Sequence, residues 1–213
     1  MGFDVYGMNP QININNSQEY DDIMMKYGDG QGLIDWSKDI PQATKDRYFE
    51  LKDQHYEDNP GEYFRNNVWF WRPLWDFVCN ACDDFLTDKD MGGGHSNDGH
   101  RISETKANRI AKRLNKHLKS GLVDELEKEA KKRANKARKH NAEIEAKLEQ
   151  IKIDVKELTG KDDLVPRDYP EELYAKWTRI YNTKDWNDSY PFSKENIENF
   201  AKFCEQSGGF EIC

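Results

Sequence analysis

Apolar residues in this chain recur with two periods, about 2 residues in some segments and about 3.6 in others, and these periods predict its secondary structure. The segments GFDVYG (2–7) and GGFEIC (208–213) combine β-branched and aromatic residues with glycines, which is typical of short strands. Helical spacing is found in five further segments, at about 42–56, 73–86, 103–121, 169–181 and 193–208. We therefore expect a mainly α fold with a small terminal β-sheet, in which the chain ends are neighbours, around a compact aromatic core.

Residues 122–158 have a different pattern, a heptad seam with one polar interruption at Asn141. The seam positions are Leu126, Ala130, Ala134, Ala137, Asn141, Ile144, Leu148, Ile151, Val155 and Leu158. They predict a helix about 50 Å long that protrudes from the core. One narrow seam does not stabilise so polar a helix, so it needs a second copy of the chain or an antiparallel helix of the same chain. We favour a coiled-coil homo-oligomer through residues 122–158, because a seam asparagine also helps to fix register and oligomeric state.

These elements predict one domain with an appendage. Residues 1–121 form the first part of the core and contain a polar insertion at about 11–60. The long helix at 122–160 is the appendage, and residues 161–213 complete the core.

The composition is that of a folded but polar protein. Of the 213 residues, 36% are hydrophobic and 34% charged, and the aromatic share of 12% argues against a disordered chain. No apolar run approaches the roughly 18 residues that span a bilayer, and the first residues do not have the pattern of a signal peptide. We therefore expect a cytoplasmic protein with no membrane partner.

Charge is distributed unevenly along the chain. Residues 101–140 contain 14 Lys or Arg against 5 Asp or Glu, a balance of +9; since the whole chain carries −8, the remainder carries −17. A basic band can attract an anionic partner. A solvated helix face is the commoner reason for such a run, so nucleic acid is not an expected partner.

The segment EYFRNNVWFWRPLWDF (62–77) is the first candidate site. Aromatic faces can stack a base, guanidinium groups can bind phosphate, and amides can contact base or ribose edges. The side chains for these roles are Trp69, Trp71, Arg65, Arg72, Asn66 and Asn67. The alternative is structural, with a carboxylate of Asp4 or Asp76 pairing with an arginine to fix the helix to the sheet.

A glycine-rich segment, GGGHSNDGHR (92–101), is the second candidate site. Successive N–H groups in such a loop can bind an anion, and His95, Ser96 and Asn97 could complete the site. Three adjacent glycines also serve as a plain connector. His95, Asp98 and His100 could ligate a metal, but three potential ligands in one loop are a weak pattern, so neither a metal nor a cofactor is predicted.

Four segments carry long motifs: GFDVYG (2–7), GEYFRNNVWFWRPLWDFV (61–78), GHSNDGHRI (94–102) and YPFSKENIENFAKFCEQSGGFEIC (190–213). Together they resemble a family of small phage and prophage proteins, usually described as hypothetical, with the motifs GxDVYG, EYFRNNVWWWRPLW, GHSNDG and YPFSxENxxxFAxFxxxxGGFxIC. The heptad helix stands where some relatives have a Cys-x-x-Cys segment, so the resemblance does not imply zinc here. It does not imply a particular activity either.

The sequence favours binding over catalysis, because it contains no nucleophile elbow, P-loop, dinucleotide fingerprint or metalloprotease helix. Phage accessory proteins of this kind often counter host defence. The leading hypothesis is therefore a phage-encoded, non-enzymatic binder that sequesters an anionic, nucleotide-like small molecule, such as an immune signal, in the cytoplasm of an infected bacterium. One alternative is an acidic inhibitor that binds a host enzyme or mimics nucleic acid. The other is a small metal-dependent nucleotide-processing enzyme centred on His95, Asp98 and His100.

Overall fold

The structure, a computed structural model, describes residues 2–30 and 32–213; Met1 and Gln31, the latter within the predicted insertion, lie outside the described residues. The described chain is 62% helical and has one small antiparallel sheet. Its strands are Gly2–Gly7 (β1), Tyr63–Asn67 (β2), His100–Ser103 (β3) and Gly209–Ile212 (β4). Its helices are Gln18–Tyr27 (α1), Gln42–Asp58 (α2), Val68–Ala81 (α3), Asp88–Gly93 (α4), Glu104–Lys119 (α5), Leu122–Thr159 (α6), Glu171–Tyr181 (α7) and Lys194–Gln206 (α8). The predicted fold class is confirmed.

The sheet has the strand order β2-β1-β4-β3, with every neighbouring pair antiparallel. Val5 lies opposite both Phe64 and Ile212, so the two terminal strands are neighbours, as expected. Because side chains alternate along a strand, Phe3 and Val5 point to the inner face and are buried, whereas Asp4 and its partner Arg65 point to the outer face.

The aromatic core lies against the inner face of the sheet. Trp71 of α3 is fully buried and stacks between Phe3, at a ring distance of 5.1 Å, and Trp75, at 5.5 Å. Phe200 of α8 meets Trp71 edge-on at 5.7 Å. These large rings account for the burial that the aromatic composition predicted.

Helix α3 begins at Val68, five residues before Pro73, so the helical segment predicted at about 73–86 starts too late. Asn67 is the N-cap: its side-chain oxygen accepts hydrogen bonds from the backbone N–H groups of Trp69 and Phe70, at 3.0 and 3.1 Å. Such a cap satisfies N–H groups that have no partner within the helix, and it fixes where α3 starts.

Contacts divide the chain into two units. The sheet unit comprises the described residues up to Gly121 together with Lys194–Cys213, and the long-helix unit is Leu122–Ser193. The polar insertion belongs to the sheet unit, where α1 and α2 pack around a small cluster of Ile34, Ile40 and Tyr48. Residues 161–193, assigned from the sequence to the core, are grouped here with α6.

In the long-helix unit, the chain itself supplies the partner for the heptad seam. Helix α7 runs antiparallel to α6, as the ion pair of Lys176 with Asp154 at 3.6 Å and the pair of Lys184 with Glu145 indicate. Five seam residues, Ala137, Ile144, Leu148, Ile151 and Val155, are buried in the single chain. Burial of these five residues therefore does not require the second copy that we preferred from the sequence.

Candidate functional site

Trp71 belongs to the core and is not available to stack a ligand. It has 0% exposure, and its indole N–H donates a 2.7 Å hydrogen bond to the carbonyl of Gly94. Trp75 is buried in the same way and donates to the carbonyl of Met91 at 2.9 Å. The proposed ligand contact at Trp71 is therefore wrong, because both its ring faces and its only donor are already used.

The three asparagines predicted to contact a ligand, Asn66, Asn67 and Asn97, have structural partners instead. Asn67 caps α3, and the Asn66 amide donates to the side-chain oxygen of Asn196 at 2.8 Å, which ties β2 to α8. Asn97 donates to the carbonyl of Gly2 at 2.6 Å and holds the glycine-rich segment against β1. These amides stabilise the junctions between elements.

Arg65 and Arg72 do not form one anion site. Arg65 lies on the outer face of the sheet, 3.5 Å from Asp4, with 69% of its side chain exposed. That pair resembles the structural alternative, but it is solvated, and exposed pairs of this kind contribute about 0–1 kcal/mol. Arg72 is exposed on α3, which covers the opposite face of the sheet. The sheet therefore separates the two guanidinium groups.

Trp69 and His95 lie on the same exposed side of α3 as Arg72. Trp69 is 47% exposed and three residues before Arg72, a spacing that makes neighbours on a helix surface. His95 approaches Asp76 of α3 at 3.5 Å. The nine predicted ligand residues thus divide among the core, the element junctions, the outer sheet face and this side of α3.

The glycine-rich segment is not an anion-binding nest. Gly92 and Gly93 belong to α4, and the N–H groups of Gly94, His95 and Ser96 donate to the carbonyls of residues 90, 92 and 93. The Ser96 hydroxyl is also turned inward, 3.3 Å from the carbonyl of Gly93. Packing requires Gly93 and Gly94, since a Cβ would stand 2.3 Å from the His100 ring at Gly93 and 1.9 Å from the Trp75 ring at Gly94, whereas a Cβ on Gly92 would meet open space.

A buried carboxylate, Asp90, joins this segment to β3 and α5. It accepts hydrogen bonds from the hydroxyl and N–H of Thr87 at 2.6 and 2.9 Å, pairs with Lys106, and lies 3.3 Å from His100. Burial alone would raise the pKa of Asp90, but the bonds from Lys106 and Thr87 outweigh it and hold the pKa well below its usual range. Asp90 therefore stays ionised and paired.

His95, Asp98 and His100 do not assemble into a metal site. His100 is directed to Asp90 and His95 to Asp76. Within residues 2–30 and 32–213, no group of three or more His, Cys, Asp or Glu side chains could hold a metal ion. The arrangement offers no support for the metal-dependent enzyme hypothesis.

The long-helix unit contains a groove that the sequence did not predict. Asn141, the polar seam residue, donates to the carbonyl of Asp185 at 2.7 Å and accepts from its N–H at 2.9 Å. His140 contacts the carbonyl of Thr183 at 2.9 Å. These contacts hold the segment after α7 against α6, so the next residues, Asn187 to Phe192, lie beside the preceding turns of the long helix.

The groove has a volume of about 390 Å³, within the range of small-molecule sites. Its floor contains Ala130 and Ala134, two small seam residues that leave space beside the helix. The other lining residues are Lys131, Asn135, Arg138, Asn187, Asp188, Tyr190, Pro191 and Phe192. The groove thus combines two cations, two amides and two aromatic rings, the chemistry that was expected around residues 65–72.

The electrostatics of the groove favour an anion. Among the described residues, Arg138 forms no ion pair, and its guanidinium donates to the neutral side-chain oxygen of Asn135 at 3.3 Å. The ammonium group of Lys131 forms an ion pair with Glu127 at 2.7 Å, and the Lys131 side chain is 66% exposed. Asp188 is the single carboxylate among the lining residues, and it can accept a hydrogen bond from an amino group.

Two other hollows of similar volume suit an anion less well. One of about 410 Å³ between α1 and α2 includes Arg47, which is already held by Glu19 at 2.6 Å and by Glu50 at 3.0 Å. Another of about 440 Å³ beside β2 has one cation, Lys202, and one carboxylate, Glu57. In neither does an unshared guanidinium stand beside amides and rings.

Comparison with known proteins adds no assignment: no protein-family model, no curated protein and no solved structure matches this chain. In the described part of the chain, none of the helices combines the length and apolar character needed to cross a membrane.

Proposed function

We propose that this protein binds an anionic, nucleotide-like small molecule in the groove of the long-helix unit. The observation that carries the proposal is the position of Lys131 and Arg138 at a 390 Å³ groove that also contains Tyr190 and two asparagines. Cations, aromatic faces and amides together suit a phosphate attached to a flat, polar ring system.

Each part of such a ligand has a complementary group. Lys131 and Arg138 are two helical turns apart, about 10 Å along the axis, so they can bind phosphates at two ends of a ligand. The ring of Tyr190 offers an aromatic surface for a base. The amides of Asn135 and Asn187 and the carboxylate of Asp188 can satisfy the donors and acceptors on the base edge.

The proposed activity is binding without turnover. The lining contains no serine, threonine, cysteine or histidine, and its ionisable side chains are Lys131, Arg138, Asp188 and Tyr190, which suit the binding of an anion. The resemblance to phage and prophage proteins supports sequestration of a host immune signal as the biological role.

Isothermal titration calorimetry with mono- and dinucleotides tests the proposal, after native mass spectrometry has identified any retained small molecule. The variant Lys131→Ala/Arg138→Ala removes two charge-assisted contacts of about 1.5–3 kcal/mol each, which predicts a loss of affinity of roughly a hundredfold or more. Since both side chains are exposed, the melting temperature should change little.

The matched control is Arg65→Ala/Arg72→Ala, which removes the same charge from two exposed arginines of the sheet unit. We expect its affinity to equal that of the wild type. If this variant loses binding while Lys131→Ala/Arg138→Ala does not, the groove assignment is wrong. Absence of measurable binding to any nucleotide at millimolar concentration would refute the proposed function itself.

A second candidate function, inhibition of a host protein, is favoured by one exposed aromatic pair. Trp36 and Phe49 are 56% and 48% exposed, and their rings stack at 5.8 Å beside the acidic α1–α2 region. Aromatic side chains of this kind often anchor protein interfaces. Binding of a purified host enzyme that is lost in Trp36→Ala/Phe49→Ala would support this candidate, and identical binding by the variant would exclude this surface.

A further inference from the structure

A regular row of lysines runs along α6 beside the groove. The lysine stripe, as we call it, comprises Lys128, Lys132, Lys136 and Lys139. Their spacing of four, four and three residues places them within about 80° of the helix circumference. The stripe is about 16 Å long, with one ammonium group for each turn of about 5–6 Å.

The four stripe lysines are exposed to solvent. In the described ranges 2–30 and 32–213, none of them forms an ion pair. Of the nearby carboxylates, Glu127 pairs with Lys131 at 2.7 Å and Glu129 with Arg133 at 3.8 Å, while the charge of Lys136 helps to lower the pKa of Asp185 without forming an ion pair with it. Residues 128–139 contain seven Lys or Arg and one Glu, a local charge of +6 in a chain of −8.

The stripe adjoins the groove around the helix. At about 100° per residue, Lys131, Asn135 and Arg138 lie in the sector next to the stripe, between it and the buried seam. The cationic surface is therefore continuous from the groove to the exposed back of α6. A ligand that occupies the groove and continues beyond it meets further ammonium groups.

We infer that the nucleotide bound in the groove belongs to a single-stranded nucleic acid, whose neighbouring phosphates lie along the lysine stripe. This inference rests on the proposed function, because it places a nucleotide in the same groove, and it goes beyond that function by extending the ligand from a free nucleotide to a strand. A positively charged surface that follows a backbone, combined with an aromatic ring for a base, is the usual arrangement for single strands. A single strand is required because a base must be unpaired to enter the groove.

An acidic protein surface is the other polyanion to consider, and the composition of the stripe argues against it. The cores of protein interfaces contain apolar and aromatic anchors and are depleted in lysine. The stripe consists of lysines and has no apolar member. Lysine is a point charge on a long chain, which suits contact with phosphates irrespective of sequence.

The inference departs from the expectation that nucleic acid is not a partner. That expectation treated the basic run as a solvated helix face. Within residues 128–139, the ion pairs of the structure are those of Lys131 with Glu127 and of Arg133 with Glu129, and the four stripe lysines stand on one side. A solvated helix more often pairs its charges at i,i+4 spacing.

The test compares a 5′-labelled oligothymidylate of about 12 nucleotides with thymidine monophosphate, by fluorescence anisotropy and calorimetry, over a range of salt concentrations. The stripe variant is Lys132→Gln/Lys136→Gln/Lys139→Gln. Its matched control, Lys147→Gln/Lys152→Gln/Lys156→Gln, removes three exposed charges from the same helix beyond the groove. We expect the wild type to bind the oligonucleotide at least tenfold more tightly than the mononucleotide.

The stripe variant should lose this tenfold difference and keep wild-type affinity for the mononucleotide. The slope of log affinity against log salt should fall in magnitude by about 2, since each phosphate contact on a single strand contributes about 0.7. The control should retain the wild-type slope.

Three outcomes would overturn the inference. If the mononucleotide binds and the oligonucleotide binds no more tightly, or the stripe variant behaves like the control, the inference fails while the proposed function stands. If neither nucleotide ligand binds, both fail. If poly-glutamate of equal charge competes as well as the oligonucleotide does, the assignment to nucleic acid is wrong.

Discussion

Replacement of Asn141 by leucine tests how the long helix is stabilised. In a coiled-coil dimer, a seam asparagine lowers stability while it fixes register, so leucine would stabilise the assembly and change its oligomeric state. In this structure the Asn141 amide instead forms two hydrogen bonds with the backbone of Asp185, at 2.7 and 2.9 Å. The two arrangements predict opposite signs for the same substitution.

The expected cost follows from these two bonds. Leucine removes both and leaves the N–H and C=O of Asp185 without their partners in a half-buried place. An unsatisfied buried group costs about 1–3 kcal/mol, and partial access of water reduces that, so we expect a loss of about 2 kcal/mol in the free energy of unfolding. The segment after α7 should also open more often, because it would keep the contact of His140 with Thr183 and the ion pair of Lys184 with Glu145 but lose both hydrogen bonds to Asn141.

Urea denaturation followed by circular dichroism gives the change in stability, and hydrogen exchange of the peptide at 182–189 reports local opening. Light scattering after size-exclusion chromatography gives the oligomeric state. Asn135→Ala is the control, since the Asn135 side chain is exposed and accepts a hydrogen bond from Arg138 at 3.3 Å, with no bond to the segment after α7 in the described chain. A stabilised Asn141→Leu variant with a changed subunit number would refute the intrachain arrangement.

Two further substitutions test the sheet unit. Gly94→Ala places a methyl group 1.9 Å from the Trp75 ring and should lower the free energy of unfolding by about 3 kcal/mol in chemical denaturation. In the control Gly92→Ala the methyl group meets open space, so this variant should be neutral or slightly stabilised. Equal effects of the two substitutions would contradict the packing role of Gly94. Asp90→Asn removes the partner of Lys106 and should cost about 2 kcal/mol at pH 7. Folding lowers the pKa of Asp90, so the stabilisation by its carboxylate is present above pH 4 and is lost as the pH falls further. The difference in melting temperature between Asp90→Asn and the wild type should therefore shrink towards pH 2. A constant difference would argue against an ionic role of Asp90.

The fold could be predicted from the sequence where the periodicity was long or the segment lay at a terminus. The terminal strands, the long helix and α8 all have clear patterns, and the pairing of Val5 with Ile212 agrees with the expected proximity of the chain ends. The strands β2 and β3 have only five and four residues, too few for alternation to be recognised. Their places in the sheet depend on partners distant in sequence.

The candidate pocket at residues 65–72 illustrates why neighbours in sequence need not share a site. The backbone changes from strand to helix at Asn67, so the period changes from about 2 to about 3.6 residues at that point. Strand alternation sends Arg65 to the outer face, while the helix turns Trp71 inward and Arg72 outward on the other side of the sheet. Without the exact boundary, composition alone placed all of them around one ligand.

The groove has a sequence signal, but one that is understood only with the fold. Ala130 and Ala134 continue the heptad seam with side chains too small to fill it, and Asn141 then places an amide where an apolar residue is expected. Small residues followed by a polar one indicate that something other than a second apolar helix packs there. What packs there is a polar turn joined to Asn141 through Asp185, 44 residues later. A turn covers less of α6 than a helix would, so the seam stays open at Ala130 and Ala134. This incomplete cover leaves the groove at which Lys131 and Arg138 can bind a ligand.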